Sequence, residues 1–183
     1  SIIFQKALTR VTEINGPLHV TDGACKNPLY NAFIEAGSQA GYPTTTDMNG
    51  YQQEGFGHMQ MTTHKGQRWS TANAYLKPVL YRKNLSVMVK TMTNRILFQG
   101  NRAIGIEITQ AGYTHSVHAK HEVICCSGAI NSPQLLMLSG IGDAEHLKKY
   151  NIPVVANLKG VGANLQDHLE IYVQMACTQP ISL

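Results

Sequence analysis

Long apolar runs are missing from this chain: none approaches the ~20 residues a helix needs to span a bilayer. Charge is sparse as well. Charged residues are 14% of the total, and the net charge of +4 is spread over scattered Lys and Arg. With no basic block and no basic helical face, nucleic acid is not an expected partner. The four cysteines, Cys25, Cys125, Cys126 and Cys177, form no C-x-x-C pair and show no metal-ligand spacing. Neither a metal site nor a disulfide framework is expected, which points to a reducing compartment. Cys125 and Cys126 lie in an apolar stretch and read as small buried hydrophobes. The sequence also lacks an initiator Met and a secretory or transit pattern at Ser1, and it stops abruptly at TQPISL. The expectation is an internal piece of a longer protein.

What is present is a core-forming chain. Hydrophobic residues are 43% of 183, enough for one domain or parts of two, and disorder is not expected. Asn15-Gly16-Pro17 marks a turn before a short strand at Leu18 to Thr21. Asn27 reads as an N-cap with Pro28 at the first helical position. Leu29, Phe33, Ile34 and Ala36 to Ala40 continue that helix, and Gly41 ends it. The loop DMNGYQQEGFG leads into an alternating, strand-like HMQMTTHKG, where His58 and His64 read as structural. Ser70 caps a short helix, TANAYLKPVL, broken near Pro78, and the preceding Arg68-Trp69 reads as a stacked pair.

From Asn84 the character changes. NLSVMVK, RILFQ, RAIGIEIT, YTHSVHA and HEVICC read as short strands with turns at Gly100-Asn101 and Ala111-Gly112. That is an antiparallel meander feeding a final apolar strand. A helix at Ala144 to Tyr150, a strand IPVVA and a strand LEIYVQMAC follow. Met48, Met59, Met61, Met88 and Met92 read as packing residues.

The stretch KHEVICCSGAINSPQLLMLSGIG, Lys120 to Gly142, carries the chemistry. EVICC is a continuous apolar run, as in a strand buried on both faces of a parallel sheet. Such strands deliver ligands to the crevice at their carboxyl ends. Ser127-Gly128-Ala129 lies there, and its lack of bulk lets a ligand approach the backbone. Ser132 and Pro133 read as the cap and first residue of a helix whose free amides would face that ligand, and Gly140 reads as its left-handed stop. An extended cofactor across a strand end is one reading; an ordinary βα unit is the other. The chain holds no G-x-G-x-x-G pyrophosphate turn.

GAINSPQLLMLSGIG, Gly128 to Gly142, resembles the second signature of the glucose–methanol–choline (GMC) family of flavoprotein oxidoreductases. KGVGANLQDHLEIY resembles the segment that follows it. DMNGYQQEGFG, RWSTANAYL and TQPISL resemble the choline-oxidising branch in particular. The resemblance implies an α/β fold of mixed α+β character. It would comprise a partial Rossmann-like FAD-binding domain containing the meander and a partial substrate domain built on an antiparallel sheet. Residues 1–80 and 164–183 would belong to the substrate domain and residues 81–163 to the FAD domain. The implied activity is FAD-dependent oxidation of choline, or of a related small alcohol, by hydride transfer to the flavin. Electrons would pass to a quinone or other acceptor, in a mitochondrial protein associated peripherally with the inner membrane.

The same resemblance distributes the site residues. Thr93 matches a position whose backbone holds the adenine, Ser127, Gly128 and Ala129 fall beside the adenosine or ribose, and Ser132 counts among the cofactor-binding residues as the cap of the helix that follows. Asn164 and Asp167 fix a turn near the flavin through side-chain-to-backbone bonds. Glu54, Phe56, Glu170 and Tyr172 are the candidates for holding a quaternary ammonium, which has no N–H to donate and needs carboxylates or aromatic faces. No catalytic residue is carried over, because the family's catalytic His falls C-terminal to Leu183. Two other readings remain open: a GMC dehydrogenase or oxidase for sugars or other alcohols, and a non-catalytic binding module that retains part of the fold.

Overall fold

Asn27 sets the first helix. Its side chain accepts the Leu29 amide at 3.0 Å, and Pro28 occupies the first position, where a missing N–H costs nothing. Helix α1 therefore runs Pro28–Gln39, and Gly41 follows it at φ +86°. The computed structural model describes residues 16–23 and 26–181 of a mixed α/β molecule. Cys25 lies outside the described residues.

The chain divides into two compact units, Ser1–Ser86 with Val173–Leu183, and Val87–Tyr172. In the first unit, β1 (Thr21–Asp22) pairs antiparallel with β2 (Gln60–Met61). The expected strand at Leu18 to Thr21 is thus shifted towards the C-terminus. A tight hairpin joins β3 (Thr63–His64) to β4 (Gln67–Arg68). Trp69 does not stack on Arg68 as a pair. Its ring lies 4.8 Å from the His64 ring and 5.6 Å from that of His19, and its Nε1–H donates to the Pro17 carbonyl at 2.8 Å.

Ser70 starts the next helical segment: its carbonyl accepts the Ala74 amide and its hydroxyl the Asn73 amide. The turn is wider than an α-helix. Residues Ala72–Leu76 are π-helical, with the Lys77 amide reaching back to the Ala72 carbonyl, and Lys77–Val79 tighten to a 3₁₀ turn at Pro78.

The second unit is built on the meander of β5 (Thr91–Gln99), β6 (Arg102–Gln110) and β7 (Tyr113–His118). Both turns fall where the sequence places them, at Gly100-Asn101 and Ala111-Gly112. Ile96 and Ile108 are buried in this sheet. Helix α2 (Gly128–Leu138) packs along β5. A short parallel pair follows, β8 (Ile141–Gly142) with β9 (Ala156–Asn157). Between them α3 (Ala144–Lys149) buries Leu147 completely.

Several expected strands are absent. NLSVMVK, EVICC and LEIYVQMAC are not paired, and IPVVA contributes only its last residue to β9. A strand exists through its ladder, and none of these runs has a partner strand among the described residues. Their apolar side chains are exposed instead: Ile124 is 73% accessible and Val89 68%. Cys126 is likewise exposed and Cys125 half-buried, so neither is the buried hydrophobe expected; both are free thiols, as is Cys177. Met59, Met61, Met88 and Met92 are also exposed rather than packed.

Candidate functional site

Helix α2 begins earlier than its Ser-Pro pair suggests. Its first residue is Gly128, with Ser127 in the capping position, and Pro133 lies inside the helix. Ser132 does not cap the helix from outside; its hydroxyl reaches back and accepts the Ser127 amide at 3.0 Å. Pro133 deprives only the Ala129 carbonyl of its usual donor, a loss confined to the exposed first turn. The amides of that turn have no intrahelical acceptor and form the positive end of the helix dipole.

Ser127, Gly128 and Ala129 are all exposed. Gly128 sits at φ +85°, and a Cβ built on it would meet no atom within 4 Å. A donor-rich helix end with open space over it thus stands at the small-residue stretch.

The other end of α2 is tied down. The Ser139 hydroxyl donates to the Leu135 carbonyl at 2.6 Å and accepts the buried Ile96 amide of β5 at 2.8 Å. Gly140, at φ +87°, turns the chain, and its carbonyl accepts the Val155 and Ala156 amides. A Cβ on Gly162 would lie 3.2 Å from Met137 Cε, so the 158–162 loop folds against α2. Asp143 caps α3 through the Glu145 and His146 amides, and these bonds hold its carboxyl below the usual range. Neither Ser139 nor Met137 stands out in the sequence. A serine immediately before a left-handed stop glycine was the available signal.

Thr93 lies half-buried on β5, opposite Ile108, beside an irregularity in register between Thr93 and Arg95. Because β5 is an edge of its sheet, the backbone groups on its outer side remain open to a ligand or to α2. Asn94 Nδ2 donates to Thr109 Oγ1 at 2.8 Å, and Arg95 pairs with Glu107 at 2.8 Å. That surface pair raises the arginine, lowers the glutamate, and contributes little to stability. Asn164 has φ +55°, and the Asp167 carboxylate accepts the His168 amide at 2.8 Å.

The four ammonium candidates fall in two groups. Glu170 and Tyr172 belong to the second unit, where the tyrosine hydroxyl donates to Glu170 Oε2 at 2.5 Å. That bond holds the phenol proton and raises the tyrosine above its ordinary pKa. Glu54 and Phe56 belong to the first unit. Phe56 clusters with Phe33 and Tyr42, at ring separations of 5.1 and 5.7 Å, and lines a cleft of about 850 Å³ with Asp22, Glu35 and His58. Among the described residues no group of His, Cys, Asp and Glu could hold a metal ion, and no helix is long and apolar enough to cross a membrane.

Fold and sequence together define part of a mixed α/β protein of a flavoprotein-type family. The chain belongs to the GMC oxidoreductase family, which residues 3–170 match. It is 61% identical over 169 residues to the mitochondrial choline dehydrogenase of Mus musculus, covering 92% of this chain and 28% of that protein. It is 57% identical over 170 residues to the oxygen-dependent choline dehydrogenase of Brucella ovis, covering 92% of this chain and 31% of that protein. Among solved structures it resembles an FAD-dependent oxidoreductase from Chaetomium thermophilum, with a TM-score of 0.69 and 25% identity over 79% of this chain and 26% of that one. The chain thus spans less than a third of the curated relatives it matches, 28% and 31%.

Proposed function

We propose that the protein containing this chain is an FAD-dependent choline dehydrogenase, and that the chain supplies part of the FAD cradle and part of the substrate wall. One observation carries the reading: the open, donor-rich start of α2, with Gly128 at φ +85°, lies in a chain 61% identical to a choline dehydrogenase.

The residues fit a flavin dinucleotide. Free first-turn amides suit its ribose and phosphate oxygens, and the space above Gly128 admits it. Bound FAD would supply the hydride acceptor for oxidation of choline at its carbinol carbon to betaine aldehyde, with the hydroxyl proton passing to a general base and the electrons in turn to a quinone-type acceptor. This chain's residues hold the partners in place. Ser127, Gly128, Ala129 and Ser132 line the adenosine, the Thr93 backbone meets the adenine, and Asn164 and Asp167 shape a turn at the flavin. For the trimethylammonium group each unit offers its own candidates: Glu170 and Tyr172 in one, Glu54 and Phe56 in the other.

Residues 1–80 and 164–183 form the substrate side and residues 81–163 the FAD side; the two compact units support this division except at residues 81–86, which group with the first unit, and 164–172, which group with the second. The mitochondrial compartment is supported by the name of the mouse relative, and peripheral association with the inner membrane accords with delivery of electrons to a quinone.

The test uses the full-length protein, purified with its flavin absorbance recorded and then assayed for choline-dependent dye reduction. Flavin together with reduction by choline sustains the reading. Flavin with reduction only by other alcohols or sugars moves it to another GMC activity, and a flavin-free product with no turnover overturns it.

A further inference from the structure

We infer that Ser139 is a positioning residue for the cofactor: its hydroxyl latches the C-terminal end of α2 to the edge of β5 and so holds the two elements that flank the adenosine. The inference rests on the FAD reading above.

Ser139 is 7% exposed and follows the last residue of α2. Its hydroxyl is used twice. It donates to Leu135 at 2.6 Å within the helix and accepts the Ile96 amide at 2.8 Å from the sheet. Ile96 is three residues beyond Thr93 on the edge strand, and its amide is buried, with 7% of the residue exposed. An edge-strand amide that points away from its sheet and away from water needs an acceptor. The Ser139 hydroxyl is that acceptor, and it sits on the same helix whose other end begins at Gly128.

Backbone geometry leaves this serine little freedom. Gly140 next to it is at φ +87°, and a Cβ there would lie 2.3 Å from the Pro153 carbonyl oxygen, so the turn cannot slide to make up for a lost bond. Removing the hydroxyl orphans the Ile96 amide and frees α2 to shift along β5. The Thr93 backbone and the Ser127–Ala129 start would then no longer keep the spacing an adenosine requires. Ser139 touches no reacting atom, so its effect belongs in cofactor affinity and not in the chemical step.

The experiment compares full-length wild type with Ser139→Ala. FAD dissociation constants come from flavin fluorescence of reconstituted apoprotein, turnover is measured at saturating FAD, and exchange at the Ile96 amide is followed by hydrogen–deuterium exchange. Ser139→Ala is expected to weaken FAD by about tenfold or more, to speed exchange at Ile96 above its neighbours, and to leave turnover at saturating FAD within about twofold. Ser139→Thr, which keeps the hydroxyl, is expected to restore FAD affinity. If Ser139→Ala does not fold, Ser139→Cys takes its place, since the thiol is a weak acceptor of similar size. Unchanged FAD affinity with accelerated Ile96 exchange overturns the inference while leaving the FAD reading intact. Failure of wild type itself to bind FAD overturns the reading, and the inference with it.

Discussion

Gly37 lies directly against the ring of Phe56: a Cβ on the glycine would sit 2.5 Å from Phe56 Cγ and 2.6 and 2.7 Å from its Cδ atoms. The loop that carries Phe56 is fixed to its neighbour, because the Phe56 amide donates to Pro43 and its carbonyl accepts the Thr45 amide. The ring cannot retreat without opening those bonds. Alanine at 37 should gain helix propensity of about 0.5–1 kcal/mol yet overpack by about 1–3 kcal/mol, so Gly37→Ala is expected to lower stability. The double variant Gly37→Ala/Phe56→Leu should recover part of that loss, because a non-aromatic side chain can turn away. A thermal-denaturation cycle checks this; strictly additive losses would show that the ring and the helix are not in tension.

Local punctuation was legible in the sequence; pairing was not. Asn27, Pro28 and Gly41 bound α1 because caps act within a few residues, and the meander turns at 100–101 and 111–112 follow the same logic. EVICC and LEIYVQMAC have strand-like composition, but composition cannot supply a partner, and in the described structure they stay unpaired. The start of α2 was misplaced because Ser132-Pro133 is a strong local signal, whereas the actual start depends on Gly128 taking a positive φ. Ser139 and Ile96 are 43 residues apart, and no periodicity or cap rule links them. The small-residue stretch itself was legible, because lack of bulk is written in residue identity.

Two glycines bracket α2 with nearly the same backbone, φ +85° at Gly128 and φ +87° at Gly140, but opposite surroundings. A side chain at Gly128 meets nothing within 4 Å, whereas one at Gly140 meets the Pro153 carbonyl at 2.3 Å. Each substitution incurs the left-handed penalty of about 1–2 kcal/mol; only the second adds a backbone clash. Gly128→Val in the full-length protein is therefore expected to fold and to lose FAD, and Gly140→Ala to be lost as soluble folded protein. Flavin-to-protein absorbance ratios and thermal midpoints separate the cases. Stoichiometric flavin in Gly128→Val would remove that glycine from the cofactor site.

The His19 and His64 rings stack at 3.9 Å with 16° between their planes, with Trp69 against both and Lys65 next in the chain. Desolvation first, then the charges of His19 and Lys65, hold His64 below its ordinary pKa of 6.5. A base depressed in the folded state binds fewer protons there than in the unfolded chain, so stability rises with pH across that window. The contribution is fully present above pH 6.5 and is lost as pH falls through the lower folded value. Acidification should therefore loosen the β3–β4 hairpin from the Pro17–His19 segment, and His64→Gln should flatten the dependence. Limited proteolysis and thermal midpoints at about pH 7.5 and about pH 5 report it; equal acid sensitivity in the variant would assign the effect elsewhere.

Glu170 and Tyr172 stand two residues apart in an unpaired stretch of chain and are joined through the tyrosine hydroxyl, giving a carboxylate and an aromatic ring side by side. A trimethylammonium group makes no hydrogen bonds, so its recognition falls to charge and to the ring face. Glu170→Gln keeps shape and hydrogen bonding but removes the charge. It should raise KM for choline about tenfold or more with a smaller change in kcat, the pattern of lost ground-state binding. Tyr172→Phe keeps the ring but frees the carboxylate from its donor, and it should change KM by less than about threefold. Its distinct signature is spectroscopic: the phenol titration, displaced upward by the Glu170 bond, disappears from the ultraviolet difference spectrum. A neutral alcohol of similar size supplies the control, since its KM should be indifferent to the Glu170 charge. Steady-state kinetics on both substrates decide the point: equal losses for choline and the neutral alcohol would assign Glu170 to folding of the 164–172 segment and not to the cation.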